Sequence, residues 1–510
     1  MYRRYTCSPG VSPDHSIPVE DPATGETLCY VYSTQPRQVR EAIVVADETF
    51  RSGVWSRASP AHRAKVLTDI SRALSDNLED FIQTESLQTG RCIREMRAQL
   101  VRVPEWLDYH AALARTHQGL VLPTQGNLLN YVKRYPLGVV AQITPFNHPL
   151  LIAMKKIAPA LAAGNSVIVK PSELAPITVL KFAELANRYG LPSGVLAVLP
   201  GQGKNVGSLL ALDKSVRKVD ITAGTVTGRS VSSLVAPTMK SYTAELGGKA
   251  PIIVFSDADI PSAVAGTCFS AFVASGQTCV SGTRLLVQED IAVEFMRQLV
   301  GRLDSITQRI GSPQNPASMM GPVISADALK RLEEAIERLD KKEVTFGGKR
   351  LTGPSPLDGT DLSKGYFFSP TVVSLESTEC EAWEKELFGP ILTLVSFKTE
   401  EEAVKLANDS EYALGAGIFT SSLDRAHRVA ELVDAGVTWV NTWHRNDPSS
   451  PWGGWKAGSG IGRENGVEAF ESYTQSKSVI INLGSAEERK ADDWFADGAD
   501  GTGKKGPRYG

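Results

Sequence analysis

The stretch "GVVAQITPFNHPLLIAMKKIAPALAAGNSVIVKPSE", Gly138 to Glu173, decides the fold. The runs "GVVAQIT" and "NSVIVK" are short, rich in Val and Ile, and each is followed by proline, which marks them as strands. Pro149 opens a helix between them, because its fixed φ suits a first helical turn. Two near-continuous apolar strands joined through a helix form a βαβ unit, whose strands run parallel and are covered on both faces. In such sheets ligands sit beyond the carboxyl ends of the strands. Asn147 closes the first strand-to-helix turn and so faces that edge.

The alternation continues from Leu137 to Phe255, with strands expected in "GVLAVLP", "RKVDIT" and "APIIVF". In "PITVLKFAELANRYGLP", Val179, Phe182, Ala183 and Ala186 share a helical face, and Gly190 with Pro192 supplies the stop. A second alternating region follows. Its first helix is predicted from Asp259 to Gly276, with further helices in "AVEFMRQLVGRLDSI", "ADALKRLEEAIERLDK" and "EEEAVKLANDS" and strands in "RLLVQ", "GPILTLVSF" and "GVTWVN". The stretches "LLNYVKRYP" and "ESYTQSKSVIINL" alternate outside both regions and read as strands of an arm, whose open edges are satisfied by a partner subunit's sheet. The predicted class is α/β. It comprises a Rossmann-like domain (1–121 and 137–246), a second α/β domain (247–458), a small β-strand oligomerisation arm (122–136 and 459–483) and a disordered polar, Gly-rich tail (484–510).

The 510 residues exceed what one core organises, and 42% hydrophobic with 22% charged residues at a net charge of -3 describes a globular chain. That balance argues against nucleic acid or a membrane surface as partner. Arg3 and Arg4 are followed by prolines and charges rather than the apolar core of an export signal, and Lys155 and Lys156 interrupt the most apolar stretch. The expected location is therefore the cytoplasm, with no membrane span. The six cysteines form no C-x-x-C pair and no metal-ligand spacing with histidine, which fits a reducing compartment and no metal.

One cysteine stands apart. "SGQTCVSGTR" places Cys279 among small and hydroxylated residues, with Gly276 and Gly282 giving it room, as a thiolate nucleophile requires. "YTAELGGKAP" ends a strand at Glu245, and Gly247 and Gly248 permit another backbone to approach. Asn147 offers an amide donor suited to an oxyanion. Taken singly, Cys279 also reads as buried filler, Glu245 as a solvated strand end and Asn147 as the cap of the helix at Pro149. Two glycine patterns, "GQGKNVG" and "GSGIGRENG", miss the dinucleotide fingerprint by spacing and read as an ordinary loop and a flexible turn.

The segments "KPSE", "ELGGKAP", "GQTCVSGTR", "KELFGP" and "PWGGWKAGSGIGRENG", in this order, resemble the aldehyde dehydrogenase superfamily from about Asp21 to Leu483. The resemblance implies an NAD-dependent oxidation of an aldehyde to a carboxylic acid, with the first domain binding NAD and the second carrying catalysis. Cys279 would attack the aldehyde carbon, Asn147 and the Cys279 backbone N–H would hold the oxyanion, and Glu245 would activate the water that cleaves the thioester. For the cofactor it implies Lys170, Ser172 and Glu173 at the adenosine ribose, with the Glu173 carboxylate favouring NAD over NADP. It further implies Gly224, Thr225, Gly228 and Leu246 around the pyrophosphate and nicotinamide, and Glu386 and Phe388 at the nicotinamide ribose. "ITAGT" departs from the family's usual Phe-Thr-Gly-Ser-Thr by Ala223 and Gly224, which removes a hydroxyl, and Phe146 stands where tryptophan is common.

Positions matching the family's substrate tunnel are Arg102 on a preceding helix, His148, Leu151, Ile152, Lys155, Thr278, Val280, Arg445, Asn446 and Trp452. Their basic members lead to the expectation of a polar or carboxylate-bearing aldehyde. The alternatives are a CoA-acylating relative, disfavoured by the presence of Glu245, and a non-oxidative thiol esterase or structural relative. The arm makes a homodimer or a homotetramer the expected assembly.

Overall fold

The computed structural model describes residues 15–490. The deciding stretch forms strands Val139–Ile143 and Ser166–Lys170, paired in parallel with Val139 opposite Ser166 and Ile143 opposite Lys170. The helix between them, Pro149–Ala163, is buried along its whole length, which explains why it is apolar all round rather than striped. These strands lie at the centre of a six-stranded sheet in the order Gly460–Ile461, Ser241–Glu245, Val216–Thr222, Val139–Ile143, Ser166–Lys170, Leu196–Val198. All its pairs are parallel except the Gly460–Ile461 edge. That edge pairs Gly460 with Glu245, so "GSGIGRENG" is not the flexible turn its composition suggests.

A seven-stranded sheet runs Val344–Phe346, Thr371–Ser374, Ile391–Phe397, Gly282–Gln288, Ala250–Val254, Gly415–Phe419, Val437–Val440. "APIIVF" therefore continues the alternation in sequence but enters the second sheet, the chain crossing over at Leu246 to Lys249. Between Thr116 and Val139 the chain leaves the first sheet for a three-stranded antiparallel sheet. There Thr474–Asn482 pairs with Leu128–Pro136 along its full length and Leu120–Leu122 adds the other edge. Val121 and Ile480 in this sheet are exposed, as an unpartnered arm requires.

Three local expectations change. The helix predicted through Gly276 stops at Phe272, because Ala274, Ser275 and Gly276 take left-handed backbone. Arg102 lies in a turn between helices Ile93–Leu100 and Pro104–Thr116 rather than on a helix. The tail does not begin disordered at 484: Ala486–Lys490 is helical, opened by a reciprocal cap between Ser485 and Glu488. Residues 491–510 of the expected tail lie outside the described residues. Among the described residues, no helix is long and apolar enough to cross a membrane.

Candidate active site

The loop carrying Cys279 is shaped by three successive positive φ values, 54° at Ala274, 54° at Ser275 and 72° at Gly276. For alanine and serine this costs roughly 1 kcal/mol apiece and persists only if surroundings enforce it. They do. Ser275 Oγ donates to Gly321 O at 2.7 Å, Ala274 N donates to Glu95 at 3.3 Å, and a Cβ at Gly276 would lie 2.2 Å from Gly389 O. The last contact seats "KELFGP" against the cysteine loop. A Cβ at Gly248 would lie 1.9 Å from Cys279 O, so the end of the Glu245 strand rests directly on the cysteine backbone. Asn147 Nδ2 donates to Gln277 O at 2.9 Å, tying the first strand-to-helix turn to the same loop. Asn147 is not the helix cap; His148 holds that position, leaving the Asn147 amide one further N–H.

Burial sets the charges. Glu245 is 2% exposed, and neither carboxyl oxygen has a hydrogen-bond partner among the described residues. Desolvation, reinforced by Glu464, pushes its pKa well above the usual carboxylate range. Glu464 itself is held ionised, its pKa lowered to about 2 by Lys155 and Lys156, which donate to it at 2.7 and 2.6 Å. Lys156 also pairs with Asp220, which accepts from the Tyr473 hydroxyl at 2.6 Å. Burial pushes the Cys279 thiol up to about 12, Glu386 and Glu245 adding to the rise and Lys155 opposing it.

The expected cofactor residues line the carboxyl edge of the six-stranded sheet. Lys170 Nζ pairs with Glu173 at 2.7 Å, and the Glu173 side chain is 40% exposed over a cavity of about 400 Å³ that Gln202, Gly203 and Lys204 also border. Ser172 is buried and its hydroxyl accepts from Leu174 N at 3.3 Å, a turn contact. Gly224 precedes helix Thr225–Val235, and a Cβ there would meet nothing within 4 Å, so the lost hydroxyl leaves open space at the helix N-terminus. The Thr225 hydroxyl donates to Gly458 O at 2.7 Å and accepts from Gly247 N at 3.3 Å. The first turn of this helix offers N–H groups of the kind that suit an anion. Leu246 packs so closely on Gly228 that a Cβ there would lie 2.2 Å away. Glu386 accepts from Gly248 N at 2.9 Å, and burial raises its pKa to about 7. Phe388 meets Phe146 edge to face at 5.8 Å. A helix N-terminus, the part-exposed Glu173 carboxylate and the Glu386 carboxyl beside the cysteine loop are features that a dinucleotide laid across this edge could use.

A separate cavity of about 610 Å³ has walls that include Leu151, Phe269, Trp443 and Val273, the residue that follows helix Ile260–Phe272. Arg102, Arg445 and Asn446, three of the expected substrate residues, line it. However, the Arg102 guanidinium is 41% exposed and paired with Glu105 at 2.7 Å. His148 bridges toward the nucleophile, its Nε2 lying 3.2 Å from the Thr278 hydroxyl. Lys155 is committed to Glu464 and stacks 4.3 Å over the Trp452 ring. Val280 is fully buried in the second domain's core against Gly415 and is not among the residues lining this cavity. Ile152 is buried on the same helix. The sequence reading missed Arg91, Gln99, Lys156, His444 and Glu464. Of these only Lys156 carried a signal, as a charge inside an apolar helix.

The chain matches the Aldehyde dehydrogenase family over residues 10–479. It is similar to the crystal structure of PnpE from Pseudomonas sp. WBC-3, at 37% identity over 92% of this chain and 95% of that one, with a TM-score of 0.87. PnpE has also been solved in complex with nicotinamide adenine dinucleotide. It is likewise similar to betaine aldehyde dehydrogenase from Staphylococcus aureus in complex with NAD+, at 34% identity over 96% of each chain, with a TM-score of 0.90.

Proposed function

The chain belongs to the aldehyde dehydrogenase family and is an NAD-dependent aldehyde dehydrogenase; from that premise we propose that it forms a thioester on Cys279 and hydrolyses it to a free acid. The Cys279 sulfur, once deprotonated, adds to the aldehyde carbon, and the carbonyl oxygen becomes an oxyanion. The remaining N–H of Asn147 and the backbone N–H of Cys279 stabilise that charge, an effect of roughly 3 kcal/mol per donor. Bound NAD supplies the acceptor for the hydride that leaves this carbon. Glu245, as carboxylate, takes a proton from water, the hydroxide adds to the thioester carbonyl, and the carbon–sulfur bond breaks to return the thiolate.

The observation that carries this reading is the contact between Gly248 and the Cys279 carbonyl, which brings the partnerless Glu245 carboxyl to the nucleophile's loop. A carboxyl with no protein partner is suited to bind water. Replacing Asn147 by alanine should lower kcat by about 10²- to 10³-fold with a smaller change in KM, read by steady-state NADH formation. A loss under about threefold would remove Asn147 from the oxyanion site.

The pH dependence follows from the directions above. Cys279 and Glu245 both act deprotonated, and both have raised pKa values because burial disfavours their charged forms. Activity therefore rises with pH through the neutral and alkaline range, with no alkaline fall from these two groups. A flat kcat/KM profile across that range would contradict the assignment. The groups facing Glu245 are Glu464, Lys155, Lys156 and Asp220, and Glu464 is already ionised throughout.

On the substrate, the 610 Å³ cavity bordered by Arg102 and Arg445 supports a polar or carboxylate-bearing aldehyde. Glu173 supports NAD over NADP, since a carboxylate there repels a 2′-phosphate. The exposed strand Thr474–Asn482 supports a homodimer or homotetramer assembled through the arm.

A further inference from the structure

Arg91 follows Gly90, the residue that ends helix Leu78–Thr89 in left-handed backbone. It is 5% exposed and yet lines the 610 Å³ cavity. Its guanidinium is held on two edges. Nε donates to Glu95 at 3.1 Å; Nη1 donates to Gln99 Oε1 at 2.9 Å, to His148 Nδ1 at 2.7 Å and to Asn147 O at 3.3 Å. Nη2 has no hydrogen-bond partner among the described residues. The guanidinium is ion-paired with Glu95, and Nη2 is not among the fully buried unpartnered atoms, so it stays open to a further acceptor.

The same contacts fix His148. Arginine only donates, so Nδ1 of His148 must accept, which places the ring proton on Nε2, 3.2 Å from Thr278 Oγ1. Burial and the Arg91 charge hold this imidazole well below its usual pKa, and the same two causes, in that order, lower His444 beside it to about 4. Both rings are therefore neutral. Arg91 stands one imidazole ring from the residue preceding Cys279, roughly 8 Å by two hydrogen bonds and a ring. Leu151, Phe269 and Trp443 supply apolar walls to the cavity that Arg91 borders.

We propose that Arg91 is the specificity-determining residue of this enzyme, its free Nη2 edge receiving a carboxylate at the far end of an aldehyde of about five carbons. This rests on the dehydrogenase reading above and names the group that recognises its substrate. Arg102 is less suited, since all three of its guanidinium nitrogens are engaged, Nε and Nη2 by Glu105 and Nη1 by Asn446 O at 3.1 Å, and Asp447 lies 4.0 Å away. A carboxylate completes the Arg91 fork with charge-assisted hydrogen bonds, whereas a neutral end leaves it unmatched.

The test compares 5-oxopentanoate with its neutral isostere 5-methylhexanal in the full-length enzyme with NAD, using wild type, Arg91→Met and Arg91→Lys. Wild type should favour the anion in kcat/KM by at least tenfold. Arg91→Met should erase that preference mainly through KM for the anion, with Arg91→Lys intermediate, while turnover of 5-methylhexanal confirms folded enzyme. Glutarate should compete with the aldehyde in wild type, a readout that does not depend on any variant folding. Equal losses on both aldehydes would reduce Arg91 to a support for His148 and overturn the proposal, as would a wild type without preference or without glutarate competition. If wild type oxidised no aldehyde at all, the dehydrogenase reading itself would fail instead.

Discussion

Replacing Cys279 by alanine will abolish NADH formation, with kcat falling by about 10⁴-fold or more, while NAD still binds. Removing a nucleophile deletes the covalent path, and what remains is only the effect of positioning and oxyanion donors. The variant should fold, because Cys279 keeps some exposure and the loop's shape is set by neighbours rather than by the thiol. Those neighbours are Ser275 on Gly321, Gly276 against Gly389 and Gly248 against the Cys279 carbonyl. Isothermal titration with NAD separates loss of chemistry from loss of fold. Residual turnover above about 1% of wild type would mean that another group attacks the aldehyde.

Replacing Glu245 by glutamine should separate the two halves of the reaction. Thioester formation does not require the carboxylate, so a first burst of NADH close to one per site should survive. Steady-state turnover should fall by about 10²- to 10⁴-fold, because water then lacks its base. Stability provides a second readout. The folded pKa of Glu245 lies above its unreferenced value of 4.5, so its favourable contribution is full below that value and is lost as pH rises toward the folded pKa. The glutamine variant removes this loss, and its Tm should exceed that of wild type increasingly toward alkaline pH. A variant that loses burst and steady state together would place Glu245 before hydride loss rather than after it.

Local patterning foretold the strands well. "GVVAQIT", "NSVIVK" and "RKVDIT" are buried on both faces and carry the apolar runs that parallel strands need. What local patterning could not supply was partnership across long separation. "APIIVF" looks like its predecessors yet pairs with Gly282–Gln288 and Gly415–Phe419, and although "ESYTQSKSVIINL" and "LLNYVKRYP" were grouped in one arm, nothing in either gives the register between them. The end of the helix at Phe272 was also hidden, because alanine and serine do not advertise left-handed backbone and only tertiary contacts impose it.

The site divides in the same way. Local chemistry left Cys279, Asn147 and Glu245 each with a bland reading, and it was the resemblance of the segments around them to the aldehyde dehydrogenase superfamily that singled them out. The residues that tune them were not legible. Glu464 sits in a glycine-rich segment and acts through two lysines contributed by a helix some 300 positions earlier, a separation given by Lys156. Arg91 carries no pattern beyond following a helix-ending glycine, and its role depends on which of its nitrogens lacks a partner. Val280 misled for the opposite reason: it adjoins the nucleophile in sequence, but the loop turns it into the core.

The central claim is that the Cys279 sulfur becomes bonded to the substrate carbon. Mixing the Glu245→Gln enzyme with NAD and aldehyde, quenching in acid and mapping peptides by mass spectrometry tests it directly. The account predicts one acyl group, the aldehyde less one hydrogen, replacing the thiol hydrogen on the peptide that contains Cys279. An acyl group on another cysteine, or NADH released in the burst with Cys279 unmodified, would contradict it.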